Sequence, residues 1–167
     1  PVVAEIRSRL GSKVFGQGDD TLEGVILSLL HQRKWTLSVL ETFTGGVIGE
    51  RLSNGPHSSW LVQTCMIADP DRLTEYVGRE AIVPEPKAAL ASARRMKEKA
   101  GADVGLAVVG AFQENQGAHL TVTGCAAASG EGIHKTFAWE MGGDRLSLRI
   151  RGAVIGLNTL RLALLKR

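Results

Sequence analysis

The chain has 167 residues, of which 44% are hydrophobic and 22% charged, and Lys plus Arg number 20 against 17 Asp plus Glu. This is enough for one domain with a full core, and the small basic excess excludes a strong nucleic-acid-binding field. No signal peptide and no apolar run of membrane length is present, which sets a cytoplasmic location as the default expectation.

Cys65 and Cys125 each stand inside an apolar run and read as reduced thiols, without metal-ligand spacing around them. His31, His57, His119 and His134 are scattered, so neither a metal nor a cofactor is expected. The chain starts at Pro1 without Met and reads as a processed or excised part of something longer. One domain is expected over 1–167.

In chain order, Val3, Ile6, Leu10 and Val14 recur at helical spacing, with Gly11 weakening the helix. After a loop at residues 16–19, Asp20-Thr21-Leu22-Glu23 resembles a capping box with Asp20 at the cap. Leu22, Val25, Ile26, Leu29 and Leu30 predict the buried stripe of a helix ending near Arg33. A short apolar strand follows from Trp35 to Leu40, then a tight turn, Glu41-Thr42-Phe43-Thr44-Gly45-Gly46, then a helix beginning at Val47.

Residues 60–68 predict a second strand, broken by Asp69-Pro70-Asp71 before a short helix to Tyr76. Ile82-Val83 is too short to assign. Residues 84–100 predict a helix whose Arg94, Arg95, Lys97 and Lys99 form a solvated face. Residues 103–109 are nearly all apolar and predict a central strand, with a polar loop over 112–118. Residues 119–129 and 133–141 predict an antiparallel hairpin. A last helix spans 145–165, with Leu148, Val154, Leu157, Leu160 and Leu164 on its apolar side and Gly152 and Gly156 permitting close approach to the sheet. The order implies an α/β protein with a mixed sheet.

The turn at 41–46 is the most informative stretch. It lies at the carboxyl end of a strand, where open α/β sheets bind ligands. Its glycines let backbone N–H groups approach a phosphate. The plainer alternative is a tight connection in which Thr44 caps the helix.

These residues resemble a known family. Residues 21–26 (TLEGVI), then 36–46 (TLSVLETFTGG), then Arg51-Leu52 and Ser58-Ser59, are similar to the sleevv-elL…tlavaESCTGG…arLtdvpGSS opening of the C-terminal domain of the competence/damage-inducible CinA family. GADVGLAVVG at 101–110 looks like its gaDiglaitG strand, and Gly143-Asp144-Arg145 with Arg149 is similar to its GdRxxvR helix entry. The VFGQGD stretch ending at Asp19 resembles the lead-in found where a larger domain precedes.

The resemblance implies a three-layer α/β/α sandwich around a mixed sheet. Stand-alone members are nicotinamide-nucleotide amidases, which hydrolyse nicotinamide mononucleotide to nicotinate mononucleotide and ammonia. It places Thr42 at the Ser of ESCTGG, the key hydroxyl, with Phe43 replacing the adjacent Cys. It places Glu41, Thr44, Gly45, Gly46, Gly110, Arg145 and Arg149 at the ligand pocket. The family's YSNeaK segment, whose Tyr and Lys are expected to activate the hydroxyl, is here Ala68-Asp69-Pro70-Asp71-Arg72-Leu73. The Ser of GAVSe is Pro84, and the Gly-Pro of GiAGPxGG is lost around Phe112 and Gln113.

A hydroxyl nucleophile needs a base. His57 is read either as a replacement base beside Thr42 or as a solvent-facing loop residue. Arg145 and Arg149 share a helix face and either meet an anion or pair with surface acids. The expectation is an impaired nicotinamide mononucleotide deamidase. The alternatives are an inactive nucleotide-binding or regulatory module and, last, a competence-linked nucleic-acid-associated protein. A homo-oligomer is left open.

Overall fold

In the computed structural model, which describes residues 2–78, 85–114 and 119–165, β-prone and helical segments alternate as the apolar periodicity predicts. Helix α1 (Val2–Leu10) runs into a short 3-10 turn at Gly11, and α2 spans Leu22–Arg33. Strand β1 (Leu37–Glu41) leads to α3 (Val47–Ser53), β2 (Leu61–Met66), α4 (Pro70–Val77) and α5 (Pro86–Ala100). Strands β3 (Val104–Glu114), β4 (Leu120–Gly130) and β5 (Ile133–Gly143) precede the long α6 (Arg145–Leu165). The sheet order is β2-β1-β3-β4-β5. Strand β1 is parallel to both β2 and β3, whereas β3, β4 and β5 are antiparallel, so the sheet is mixed.

Strand alternation divides the core into two layers. Val39, Leu106 and Val108 pack with Ile26, Ile48 and Leu157 from α2, α3 and α6. Their neighbours Leu40, Ala107 and Val109 pack with Ala89, Ala93 and Met96 of α5 and Leu73 of α4. Helices therefore cover both faces. Among the described residues no helix is long and apolar enough to cross a membrane, and no cluster of metal-ligating side chains forms. Both cysteines are free, and burial pushes the Cys125 thiol above its ordinary pKa.

Several boundaries differ from expectation. The cap of α2 is Thr21, whose hydroxyl accepts the Gly24 N–H at 3.1 Å; the Asp20 carboxylate is taken by the Gln17 N–H. Glu23 pairs with Arg51 at 2.7 Å instead of completing a capping box. Leu27 joins the buried face of α2, while Val25 and Leu29 are half-buried. Strand β3 continues to Glu114 because β4 pairs with it throughout, Phe112 opposite Val122 and Glu114 opposite Leu120. Polar side chains at 113 and 114 read as loop although their backbone belongs to the ladder. Val154 is exposed and is not core. Ile82-Val83, the GAVSe counterpart up to Pro84, and residues 115–118 of the expected loop lie outside the described residues.

Asp103 ties the start of β3 to the entry of β1. Its Oδ2 accepts both the N–H and the hydroxyl of Thr36, each at 2.7 Å. These bonds, the backbone one foremost, hold its carboxyl below the usual pKa. A carboxyl depressed in the folded state contributes stability above its unfolded pKa and loses it as pH falls through the folded value. Asp103→Asn is therefore expected to cost about 1 kcal/mol at pH 7, since the site is exposed, and nothing at the acid extreme. Urea unfolding at pH 7 and well below pH 4 checks this; a cost that does not shrink on acidification would count against it.

Candidate functional site

The chain leaves β1 on the α3 face and returns into β3 from the α5 face. A crevice opens at the carboxyl ends of the strands where these paths part. The turn that follows β1 is organised by Glu41, which is 1% exposed. Its carboxylate accepts from the Thr44 hydroxyl (2.7 Å), the Ile48 N–H (3.1 Å) and the Gly49 N–H (2.8 Å). A negative group thus sits against the first turn of α3. Thr44 donates to Glu41 and does not cap the helix; the capping position is Gly46. Gly45 (φ 69°) and Gly46 (φ 92°) are both left-handed, which favours glycine. At Gly45 a Cβ would also lie 3.2 Å from Arg149 Cζ.

Thr42 is held on both sides by Gly110 of β3. Its Oγ1 accepts the Gly110 N–H at 3.0 Å and donates to the Gly110 carbonyl at 3.3 Å. Phe43 is buried, with its ring wedged between β3 and α6. A Cβ at Gly110 would meet Phe43 Cδ1 at 2.8 Å, and one at Gly152 would meet Phe43 Cζ at 2.4 Å. Phe112 packs edge-on against Phe43, their centroids 5.8 Å apart.

These groups border a cleft of about 320 Å³ lined by Thr42, Phe43, Gly45, Met66, Gly110, Phe112, Arg145 and Arg149. A smaller apolar lobe of about 150 Å³ adjoins it at Thr42, Ala68, Asp69, Leu73 and Gly110. Larger open hollows along α5 and α2, of about 650 and 490 Å³, include none of the turn residues. Thr42, Gly45, Gly110 and the two arginines border this cleft together, whereas Glu41 and Thr44 are buried against each other and, like Gly46, are not among its lining residues. Ala68–Leu73 borders the same hydroxyl, but Leu73 fills its part of the lobe and Arg72 pairs with Glu75 at 3.0 Å. Asp69 caps α4 through the Asp71 N–H.

Arg145 lies with its Cζ 4.4 Å from the Phe112 ring centroid. Arg149 Nε is buried without a hydrogen-bond partner. Among the described residues neither arginine enters an ion pair; the pairs are Glu5–Arg9, Glu23–Arg51 and Arg72–Glu75.

His57 is not beside Thr42. It precedes β2, and because β1 and β2 run parallel with Leu37 beside Leu61, it lies at the entry edge of the sheet. Thr42 lies at the exit edge, roughly 15 Å further along the strands at about 3.3 Å per residue. His57 stacks instead on His31 at 4.3 Å, whose Nδ1 accepts the Trp60 Nε1–H at 3.1 Å. Of the two readings of His57, the exposed loop residue holds, and the replacement base beside Thr42 is corrected by the parallel crossover, which carries the chain back across the sheet.

The family model of the CinA C-terminal domain matches residues 19–164. The chain belongs to the CinA C-terminal domain family. A CinA-like protein of Dictyoglomus turgidum is 32% identical over 98% of this chain and 42% of its own length. One from Gemmatimonas aurantiaca is 31% identical over 96% of this chain and 40% of its own. The chain thus spans about two fifths of the length of these curated relatives. A solved competence or damage-inducible protein from Enterobacter asburiae superposes with a TM-score of 0.73 at 17% identity, over 87% of this chain and 99% of that one. The Escherichia coli CinA superfamily protein does so at 0.69 and 19%, over 92% and 98%. The three-layer α/β/α arrangement is therefore the CinA fold.

Proposed function

We propose that this CinA-type domain binds a phosphate-bearing pyridine mononucleotide in the cleft at Thr42–Gly46 and turns it over slowly or not at all. The observation that carries the reading is the Thr42 hydroxyl, which spends its proton on the Gly110 carbonyl and accepts the Gly110 N–H. Amide hydrolysis of nicotinamide mononucleotide, the activity the family resemblance implies, needs that hydroxyl free and a base within reach. The adjoining lobe presents Leu73, and Asp69 is engaged at the start of α4. Binding is supported by the surviving cations: the unpartnered Nε of Arg149 beside Gly45, and Arg145 one helical turn away.

The test is ammonia release from nicotinamide mononucleotide at high protein concentration, with Thr42→Ala in parallel and calorimetric binding of the same nucleotide. The expected result is binding, with ammonia release indistinguishable between the two proteins. Turnover by the wild type that vanishes in Thr42→Ala would overturn the reading and establish a working threonine.

A further inference from the structure

Resting on the reading that a phosphate is held at Arg149, we infer that the cleft takes a ligand with two separate anionic groups, Arg145 receiving a carboxylate. Among the described residues, the lining of the main lobe holds two guanidinium groups and no carboxylate. Neither cation is neutralised by an ion pair among the described residues. Their positions differ. Arg149 is half-buried, with an unbonded Nε next to the left-handed Gly45. Arg145 is exposed and rests on the Phe112 ring at 4.4 Å.

The N–H donors of a guanidinium lie in its plane. The contact of Arg145 Cζ with the Phe112 ring, at 4.4 Å, restrains the side chain without supplying an oxygen or nitrogen acceptor, so its N–H donors remain available to a ligand. Those donors suit the two oxygens of a carboxylate, which accept in parallel. A carboxamide offers one acceptor and one donor group, so its N–H₂ faces the arginine's own donors. The two arginines are offset by about 6 Å along α6, at about 1.5 Å rise per residue, so their side chains reach two groups on one small ligand. Phe112 is then a positioning residue. The site favours the acid form of a pyridine mononucleotide over its amide: it reads the hydrolysed compound.

The experiment is calorimetric titration with nicotinate mononucleotide, nicotinamide mononucleotide and inorganic phosphate, on wild type and on Arg145→Gln, Arg149→Gln and Phe112→Leu. Wild type is expected to bind the acid about tenfold or more tightly than the amide, the scale of a charged hydrogen-bonded pair. Arg145→Gln should bring that ratio near one while changing phosphate affinity less than about twofold. Phe112→Leu should lower the ratio with phosphate affinity retained, and Arg149→Gln should weaken all three ligands together. Equal wild-type affinity for acid and amide would overturn the inference while leaving phosphate binding standing. So would an Arg145→Gln variant that loses phosphate as strongly as acid, because both arginines would then share one group. Failure of wild type to bind any of the three would instead overturn the mononucleotide reading itself.

Discussion

Replacing Glu41 by Ala is expected to cost about 3–5 kcal/mol of folding stability, the range for breaking a buried, hydrogen-bonded charge network. Three donors converge on this carboxylate: the Thr44 hydroxyl and the N–H groups of Ile48 and Gly49. At 1% exposure, water does not replace it freely. The two N–H groups belong to the first turn of α3, where no intrahelical acceptor exists for them. Losing the carboxylate therefore releases both the helix start and the turn that carries Thr42 and Gly45. Glu41→Gln should cost about half as much. Its amide oxygen can serve Ile48 and Thr44, but its N–H₂ then faces the Gly49 N–H. Urea unfolding of the three proteins measures both effects. An alanine variant within about 1 kcal/mol of wild type would mean that the network contributes little.

The second large effect is a reversal of sign. A mid-helix Gly→Ala change ordinarily stabilises by about 1 kcal/mol. At Gly152 the new methyl would sit 2.4 Å from Cζ and 2.6 Å from Cε2 of Phe43. The ring cannot retreat, because Gly110 closes on its other side and Phe112 meets it edge-on. Gly152→Ala is therefore expected to destabilise by about 2 kcal/mol through overpacking. In a Phe43→Cys background the obstruction is gone, and the remaining contact is an ordinary one to Thr44 Cγ2 at 3.4 Å. There the same substitution should be neutral or stabilising by up to about 1 kcal/mol, a coupling that a double-mutant cycle reads directly. The same loss in both backgrounds would show that Phe43 is not what Gly152 accommodates.

The fold was legible in the sequence to the extent that it rests on local periodicity. The element order, the mixed sheet and the close approach of α6 at Gly152 and Gly156 followed from apolar spacing and small residues. Details that depend on a distant partner did not. Whether Gln113 and Glu114 are loop or strand is decided by Thr121 and Leu120 across the ladder, not by their own polarity. Arg145 and Arg149 were visible as a pair on one helix face, but that neither enters an ion pair among the described residues is a fact of tertiary packing. Glu41 could be read as touching ligand or backbone, and only the three donors around it decide what its carboxylate contacts. His57 shows the opposite failure. Reading it as a base beside Thr42 took its loop to adjoin the pocket, although a strand–helix–strand crossover returns to the edge from which it began.

The topology also orders the assembly of the site. Strands β4 and β5 meet across only Glu131 and Gly132, so their pairing is local. For β1 to pair with β3, Leu37 must find Val104 across everything from α3 to α5. Loop-closure entropy makes such a distant contact slow, so the hairpin forms as a local unit and the β1–β3 seam closes later. The cleft lies on that seam, and its innermost cation comes from α6, later still in the chain. A growing chain that has not reached Arg149 holds every strand of the sheet and lacks that cation. The proposed ligand site is thus complete only after α6 has been made and has packed against the β1–β3 seam.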